Sequence, residues 1–186
     1  MAEKTIPDYP RGLTFEDVWA GLMENREQMK ETDRYLKRLG RQMGGLRNRF
    51  GELAEHLVAP GIAKRFNELG YHFDSISPGG HRILDENGKV KTEVDILLEN
   101  EECIVAVEVK TKPVTGDVEH HARQLEIVRE HRDKHHDPRK IRGAIAGAIF
   151  PQEVKETTLA AGLYVLEQSG DTMKMDMPDG FSPREW

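Results

Sequence analysis

The residues best suited to catalysis lie in two apolar segments that a short turn connects. Asp95 belongs to the first segment, residues 92–98, and Glu108 and Lys110 belong to the second, residues 103–110. Both segments contain β-branched residues that alternate with other types, which is typical of a half-buried strand. The sequence therefore predicts a β-hairpin that carries two carboxylates and an ammonium.

The turn decides which residues of the hairpin face each other. A hairpin centred on residues 101–102 joins three apolar pairs, which we expect to be buried together on one face: Val94 with Val109, Ile96 with Val107, and Leu98 with Val105. The same register places two polar pairs on the other face: Asp95 opposite Glu108, and Glu93 opposite Lys110. Directly opposed Cβ atoms lie about 5 Å apart, so the two carboxylates would be close neighbours.

Two carboxylates at that separation repel each other and destabilise the sheet unless a proton, a cation or an ammonium offsets the repulsion. Mg²⁺ or Mn²⁺ suits such a site, because these ions bind through one or two carboxylates and keep several waters. Lys110 would then contact a phosphate or the attacking water. The alternative is an exposed ladder in which Lys110 merely pairs with Glu93 and Glu108.

Two helices could add further polar groups to the hairpin. Glu55 lies on a helix face of small residues that can press on the sheet, so we expect Glu55, and not Glu52, to approach the carboxylates. Gln124 lies on the flank of the apolar stripe of a later helix, one turn from His121. For each of these residues, a position on solvated helix surface is the alternative.

A heptad pattern begins in residues 14–50 and continues without a break in phase. One seam position holds Phe15, Leu22, Met29, Leu36, Met43, Phe50 and Leu57, and the other holds Val18, Asn25, Thr32, Leu39, Leu46 and Leu53. This spacing predicts a coiled coil in which the polar Asn25 and Thr32 could fix the register, and hence a homodimer or higher homo-oligomer. The alternative is one long amphipathic helix folded back on its own domain, and the glycines at residues 40–51 favour it.

Basic residues cluster at residues 123–142 and again at residues 30–49, and either cluster could follow a phosphate backbone. For the second cluster we prefer the outer face of a coiled coil. The five histidines at residues 120–136 are expected on a solvated helix end, where the helix dipole favours them.

Composition excludes several classes of protein. The 186 residues have a formal net charge of −6 and so lack an overall basic footprint for nucleic acid. No apolar run approaches the about 20 residues that a bilayer requires, and no signal peptide is evident, so we expect a cytoplasmic protein without a membrane partner. The single cysteine excludes a disulfide framework.

The predicted elements are a long helix, three strands, a helix, a strand, a helix and a strand, which implies a mixed sheet with helices on both faces. Pro60 should kink or restart the long helix, Gly70 should end it, and a turn is expected at residues 77–80. The predicted division is an irregular lead-in over 1–13, an oligomerisation helix over 14–50, an α/β domain over 51–168 and a poorly anchored tail over 169–186.

The hairpin resembles the signature of the PD-(D/E)XK nuclease superfamily. Asp95 is followed after twelve residues by Glu108-Val109-Lys110 at the end of an apolar strand, and Gly51-x-x-x-Glu55 is similar to the helix motif of the Holliday-junction resolvase and Mrr-like branches. Val94 stands where the name of the superfamily has proline. The resemblance covers roughly residues 47–168 and implies a restriction-endonuclease-like α-β-β-β-α-β core.

The resemblance implies a role for each candidate: Asp95, Glu108 and the Val109 carbonyl hold Mg²⁺ or Mn²⁺, Lys110 orients or activates water, and Glu55 completes the acidic cluster directly or through a water. Gln124 resembles a glutamine that lines the metal pocket in one nuclease branch, although Val128 replaces the tyrosine that follows there. The implied function is a metal-dependent endonuclease acting on duplex or branched DNA. The alternatives are a catalytically silent nuclease-fold module for interaction or nucleic-acid binding, and hydrolysis of RNA or a nucleotide.

Overall fold

The structure is a computed structural model that describes residues 12, 14–170 and 172–186, except for the side chains of residues 45–50. The chain divides into two compact units between Asn48 and Arg49. Apart from Gly12, the predicted lead-in lies outside the described residues. In the described part of the chain, no helix has the length and apolar character needed to cross a bilayer.

Helix α1 runs from Phe15 to Glu68 and contributes to both units. Thr14 caps it, because Thr14 Oγ1 accepts the N–H of Asp17 at 3.2 Å and Asp17 Oδ2 accepts the N–H of Thr14 at 3.0 Å. Each side chain thereby satisfies a backbone donor that a helix start leaves free.

The helix passes through Pro60 without a break, so the restart considered for this position does not occur. Ala59 and Ile62, on either side of the proline, are buried. This packing offsets the hydrogen bond that proline cannot donate. Gly70, with a φ of +88°, follows the helix end, as its conformational freedom predicts.

One six-stranded mixed sheet forms the second unit, in the order β1-β2-β3-β4-β5-β6. Its strands are β1 Ser75–Leu84, β2 Val90–Glu99, β3 Cys103–Lys110, β4 Lys140–Gly147, β5 Tyr164–Ser169 and β6 Thr172–Asp176. Helix α2, Thr115–Lys134, connects β3 to its parallel neighbour β4, and helix α3, Gln152–Ala160, connects β4 to its parallel neighbour β5. The other neighbours are antiparallel. The predicted α/β class, mixed sheet and long N-terminal helix are confirmed.

Helices cover both faces of the sheet. On one face, Ile62 and Phe66 of α1 are fully buried in a cluster with Ile96 of β2. On the other face, α2 and α3 contribute a second cluster that includes Leu125 and Val154. Full burial of such a side chain stabilises the fold by about 1.5–3 kcal/mol, so the two layers hold the central strands firmly.

The predicted hairpin register is confirmed as far as Ile96 and Val107, but the predicted pairs beyond them, Val94 with Val109 and Asp95 with Glu108, are not ladder partners. The strands pair as expected: Ile96 with Val107, and Leu98 with Val105. Val94, however, packs in the cluster under α2, whereas Ile96 packs in the cluster under α1. The alternation changes phase at Asp95, opposite an irregularity of β1 between Pro78 and His81. A bulge of this kind alters which side chains reach each face of a sheet.

Two further expectations are wrong. The turn predicted at residues 77–80 lies inside β1, where Gly79 and Gly80 adopt φ values of +91° and +87° within the bulge. The C-terminal segment is anchored, because β6 pairs with β5 and the N–H of Trp186 donates to the carbonyl of Ile141 at 2.9 Å. The Ile141 partner of Trp186 is distant in sequence, which local composition does not reveal, whereas β6 pairs with the strand directly before it.

Gly143 of β4 lies against side chains of α2. A Cβ atom there would collide with the side-chain ends of Leu125 and Leu163 and would lie 3.3 Å from Nε2 of His121. Gly143 is the register partner of Ala106 on β3. The missing side chain therefore gives the imidazole of His121 room on the sheet.

We expect Gly143→Ala to lower the free energy of unfolding by about 1–3 kcal/mol, because the added methyl group overpacks a filled core. Urea unfolding measures the change. Gly116→Ala in α2 is the matched control, since its Cβ meets nothing within 4 Å, and it should be neutral or stabilising by up to about 1 kcal/mol. Equal stability of the two variants would contradict the close contact at Gly143.

Candidate active site

The candidate site begins where the β2–β3 ladder ends. The last register pair on this side is Ile96 with Val107. Beyond it, Asp95 Oδ2 accepts the N–H of Val109 at 2.7 Å, so a side chain takes the place that a strand carbonyl would occupy. The Asp95 carboxylate is thereby fixed beside the end of β3, which carries Glu108 and Lys110.

Glu108 is buried although its side chain carries an ionisable carboxyl group. Its side chain is 5% exposed, and that of Lys110 is 37% exposed. Glu108 Oε1 pairs with Lys110 Nζ, whereas Glu108 Oε2 is buried without a hydrogen-bond partner. A buried carboxylate oxygen without a partner is costly. The alternative of an exposed ion-pair ladder does not describe this site.

Burial and charge shift the protonation of the site. Burial, followed by the negative charge of Glu108, raises the pKa of Asp95 to about 7. Desolvation opposes the charge of Lys110, but the hydrogen bond and the charge of Glu108 prevail and raise the pKa of Lys110. Lys110 is therefore an ammonium near neutral pH, and Asp95 holds a proton more readily than an exposed carboxyl does.

Glu55 comes near this pair without joining it. Its carboxylate accepts the N–H of Gly79 in the β1 bulge at 3.2 Å, and burial raises its pKa. Its negative charge also helps to raise the pKa of Asp95. Glu52 is exposed, in keeping with the preference for Glu55.

Glu93 does not pair with Lys110, contrary to the predicted facing pair. It forms an ion pair with Arg82 of the edge strand β1, with Nε and Oε2 3.0 Å apart. The register explains the difference, because Arg82 is the direct partner of Glu93 across the β1–β2 ladder. Lys110 instead turns to Glu108 on its own strand.

Gln124 forms hydrogen bonds with two neighbours on the α2 side of the sheet. Its Nε2 donates to the carbonyl of Glu93 at 2.6 Å, and its Oε1 lies 2.9 Å from Nδ1 of His121. The other ring nitrogen of His121 lies 3.1 Å from the carbonyl oxygen of Ala106. Glu93 and Ala106 each lie two residues before a candidate carboxylate, so this pair ties β2 to β3 just before the site.

The role of His121 was missed from the sequence, where the histidines of this helix were expected to be solvated. His121 is fully buried, and burial lowers its pKa. A signal was present, because His121 has helical spacing with Val118, Leu125 and Val128 on one apolar stripe. The carbonyl of Ala106 and the space above Gly143 make its burial possible.

The donors at the site suit a divalent ion that keeps much of its water. Among the described residues, no group of three or more His, Cys, Asp or Glu side chains could hold a metal ion by itself. Mg²⁺ and Mn²⁺ do not need such a cage, since one or two carboxylates suffice. The unpartnered Oε2 of Glu108 and the neighbouring Asp95 provide that set, so the residues fit the ion that the hairpin motif implies.

The basic cluster at residues 123–142 is largely neutralised inside the fold. Four of its arginines pair with carboxylates: Arg129 with Asp133, Arg132 with Glu99 and Asp137, Arg139 with the same two, and Arg142 with Glu185. These pairs tie the loop after α2, the β2–β3 turn and the C-terminal segment together. The expectation that this cluster could follow a phosphate backbone is wrong for these four residues.

No family model and no curated protein matches the chain. A solved structure, "Structure of EndoMS-dsDNA2 complex", is similar with a TM-score of 0.32 and 18% sequence identity. The similarity covers 61% of this chain and 45% of that one, so it extends over less than half of the similar chain. With a TM-score this low, the likeness supports no conclusion about the site.

We expect Asp95→Asn to stabilise the metal-free protein progressively as pH rises. The folded pKa of about 7 exceeds the ordinary value of 3.8, so the native state binds the extra proton and the wild type loses stability between about pH 4 and pH 7. The amide keeps an oxygen for the Val109 N–H but does not ionise. The difference in unfolding free energy should grow by roughly 1.4 kcal/mol per pH unit at most.

Urea unfolding at several pH values between about 2.5 and 8 measures this difference. Asp137→Asn provides a comparison of opposite sign, because the hydrogen bond from Arg139 lowers the pKa of Asp137 to about 2. That variant should be less stable than wild type near neutral pH and should converge on it as the pH falls below 4. A pH-independent effect of Asp95→Asn would contradict the assigned shift.

We expect Gln124→Leu to lower the free energy of unfolding by about 1–3 kcal/mol, because His121 and the Glu93 carbonyl would lose a buried partner. Arg123→Leu, on the exposed side of the same helix, is the control and should change stability by less than about 0.5 kcal/mol. Thermal or urea unfolding provides the measurement. A Gln124 variant as stable as the control would show that the bridge is not formed.

Proposed function

We propose that this protein is a metal-dependent nuclease that hydrolyses DNA phosphodiester bonds, with residues 51–168 as a restriction-endonuclease-like domain. The observation that carries the proposal is the buried, unpartnered Oε2 of Glu108 beside Asp95, whose pKa is raised. Two neighbouring carboxylates, one of them buried, need positive charge to compensate them, and a bound divalent cation would supply it. The motif Asp95…Glu108-Val-Lys110 supplies the chemical class.

Asp95 and Glu108 would hold Mg²⁺ or Mn²⁺, with the carbonyl of Val109 as a further donor. When bound, such an ion acidifies water and neutralises charge on a phosphoryl group. Lys110, a persistent ammonium, orients the attacking water and stabilises negative charge on the phosphate oxygens. Lys110 does not remove a proton from water in this proposal, because its raised pKa keeps it protonated.

Glu55 and Gln124 have supporting roles in this proposal. Glu55 would accept a hydrogen bond from a water of the metal site while it braces the β1 bulge through Gly79. Gln124 positions the backbone that precedes both carboxylates, through Glu93 and His121. Contact between Gln124 and the metal is not needed.

A catalytically silent module is the second candidate, and one observation favours it. Lys110 already pairs with Glu108, so an internal ammonium supplies part of the positive charge that the carboxylates need. A protein that used this pair only for structure would bind no divalent ion. It would serve as an interaction or nucleic-acid-binding module built on the same fold.

Calorimetric titration with Mn²⁺ separates these candidates. We expect the wild type to bind the ion and Glu108→Gln to bind it at least tenfold more weakly, because the buried oxygen loses its negative charge. Glu102→Gln, an exposed carboxylate just before β3, is the control and should bind as the wild type does. Absence of binding heat from the wild type at millimolar Mn²⁺ would favour the silent module.

Cleavage assays identify the substrate. Supercoiled, linear and branched DNA and a single-stranded RNA are incubated with protein and Mg²⁺ or Mn²⁺, and we expect cleavage of DNA. Lys110→Ala should reduce the rate about 100-fold or more, whereas Lys112→Ala, an exposed lysine two residues on, should retain it. Full activity in Lys110→Ala would assign the cleavage to another site or to a contaminant, and cleavage of RNA alone would change the substrate class.

A further inference from the structure

The described part of the first unit consists mainly of the start of α1, whose two halves carry opposite charge. Between residues 14 and 33 there are six carboxylates and only two basic side chains, whereas residues 34–44 contain four basic side chains and no carboxylate. The basic ones are Arg34, Lys37, Arg38 and Arg41. A single helix gains little from this separation, because side chains attract each other along a helix only three or four residues apart.

An apolar seam runs along the same helix and is open to solvent. The seam residues of the described part are between 39% and 77% exposed: Phe15, Val18, Leu22, Met29, Leu36, Leu39 and Met43. They repeat at alternating steps of three and four residues, interrupted by Asn25 and Thr32. A seam of this kind is the contact surface of a two-stranded coil, so the helix lacks a partner along its length.

We propose that the partner is a second copy of this chain, bound antiparallel through residues 15–43. Reversing one helix places the acidic first half of each copy beside the basic second half of the other. The seam then forms these layers, each made twice by symmetry: Val18 with Met43, Leu22 with Leu39, Asn25 with Leu36, and Met29 with Thr32. The same patch serves both copies, as an isologous dimer requires.

One flanking pair of charges matches this arrangement. Arg26 and Asp33 occupy the same heptad position beside the seam, seven residues apart, so they are too far apart to interact within one helix. In the antiparallel pair, Arg26 of each copy lies beside Asp33 of the other copy next to the central layers. Opposite charges at such flanking positions set the orientation of paired helices.

A parallel, in-register pair is the competing arrangement. It would let Asn25 meet Asn25 of the second copy, which is a known register device. It would also place six carboxylates beside six carboxylates and the basic half beside the basic half, and would leave Arg26 and Asp33 without each other. Most of the other charges lie on the outer faces of the helix, so the contacts between Arg26 and Asp33 beside the seam are what favours the antiparallel arrangement.

Charge exchange at Arg26 and Asp33 tests the proposal in the full chain. We expect sedimentation equilibrium to show a dimer, Arg26→Asp and Asp33→Arg each to weaken it about tenfold, and the double variant to restore it to within about threefold. Arg34→Asp, on the outer face, should stay within about threefold of wild type. A monomeric or higher-order wild type, or a double variant no tighter than the single variants, would overturn the proposal.

Salt and cross-linking report on the orientation directly. Because the proposed contacts are attractive, raising NaCl from 50 to 500 mM should weaken the dimer, whereas a parallel dimer would tighten. In a Cys103→Ala background, a mixture of Asn25→Cys and Leu36→Cys chains should form a disulfide between different chains on oxidation. Cross-linking of either variant with itself alone would show parallel pairing and overturn the proposal.

The nuclease proposal is not needed for this inference. The dimer experiments contain neither metal nor DNA, and none of their substitutions lies in residues 49–186 except the background change at Cys103. A dimer that cleaves nothing would support the pairing and contradict the proposed nuclease. A monomer that cleaves DNA would do the reverse.

Discussion

The burial of Glu108 beside Asp95 is the constraint on which the rest of the second unit depends. Two carboxylates in a site of low polarity cannot both remain charged without compensation. Three features compensate this charge: the ammonium of Lys110, the backbone N–H of Val109 and the raised pKa of Asp95. All three are local, and all three require the ends of β2 and β3 to stay in place.

That placement comes from the layers above and below the sheet. The end of α1 packs on one face and α2 on the other, so the two central strands are fixed from both sides. The bridge from Glu93 through Gln124 and His121 to Ala106 then adds directional hydrogen bonds at the level just before the carboxylates. Because burial lowers the pKa of His121, its imidazole is neutral and carries one N–H, which it donates to either Gln124 Oε1 or the Ala106 carbonyl. Gln124 donates to the Glu93 carbonyl in both cases.

The sequence predicts the hairpin well because its signals are local. Alternation of β-branched residues and a short turn are enough to pair Ile96 with Val107. Val94 could not be placed, because its face depends on a bulge that forms with another strand. The arginines of residues 129–142 read as a basic patch because two of their acidic partners, Glu99 and Glu185, are distant in sequence, although Asp133 and Asp137 lie nearby. The burial of His121, in contrast, could have been predicted from the sequence, because His121 lies on an apolar helix stripe.

The contact between Lys110 and Glu108 has a consequence for affinity. An ion bound by Oε2 of Glu108 and by Asp95 would share the Glu108 carboxylate with the ammonium that already pairs with its Oε1. The two cations would repel each other, so the ion would bind more weakly than at a site without the ammonium. Occupancy of the site would then depend on the free concentration of the ion, which favours an abundant ion such as Mg²⁺. A scarce metal would compete only through a preformed set of tight ligands, which the described residues do not provide.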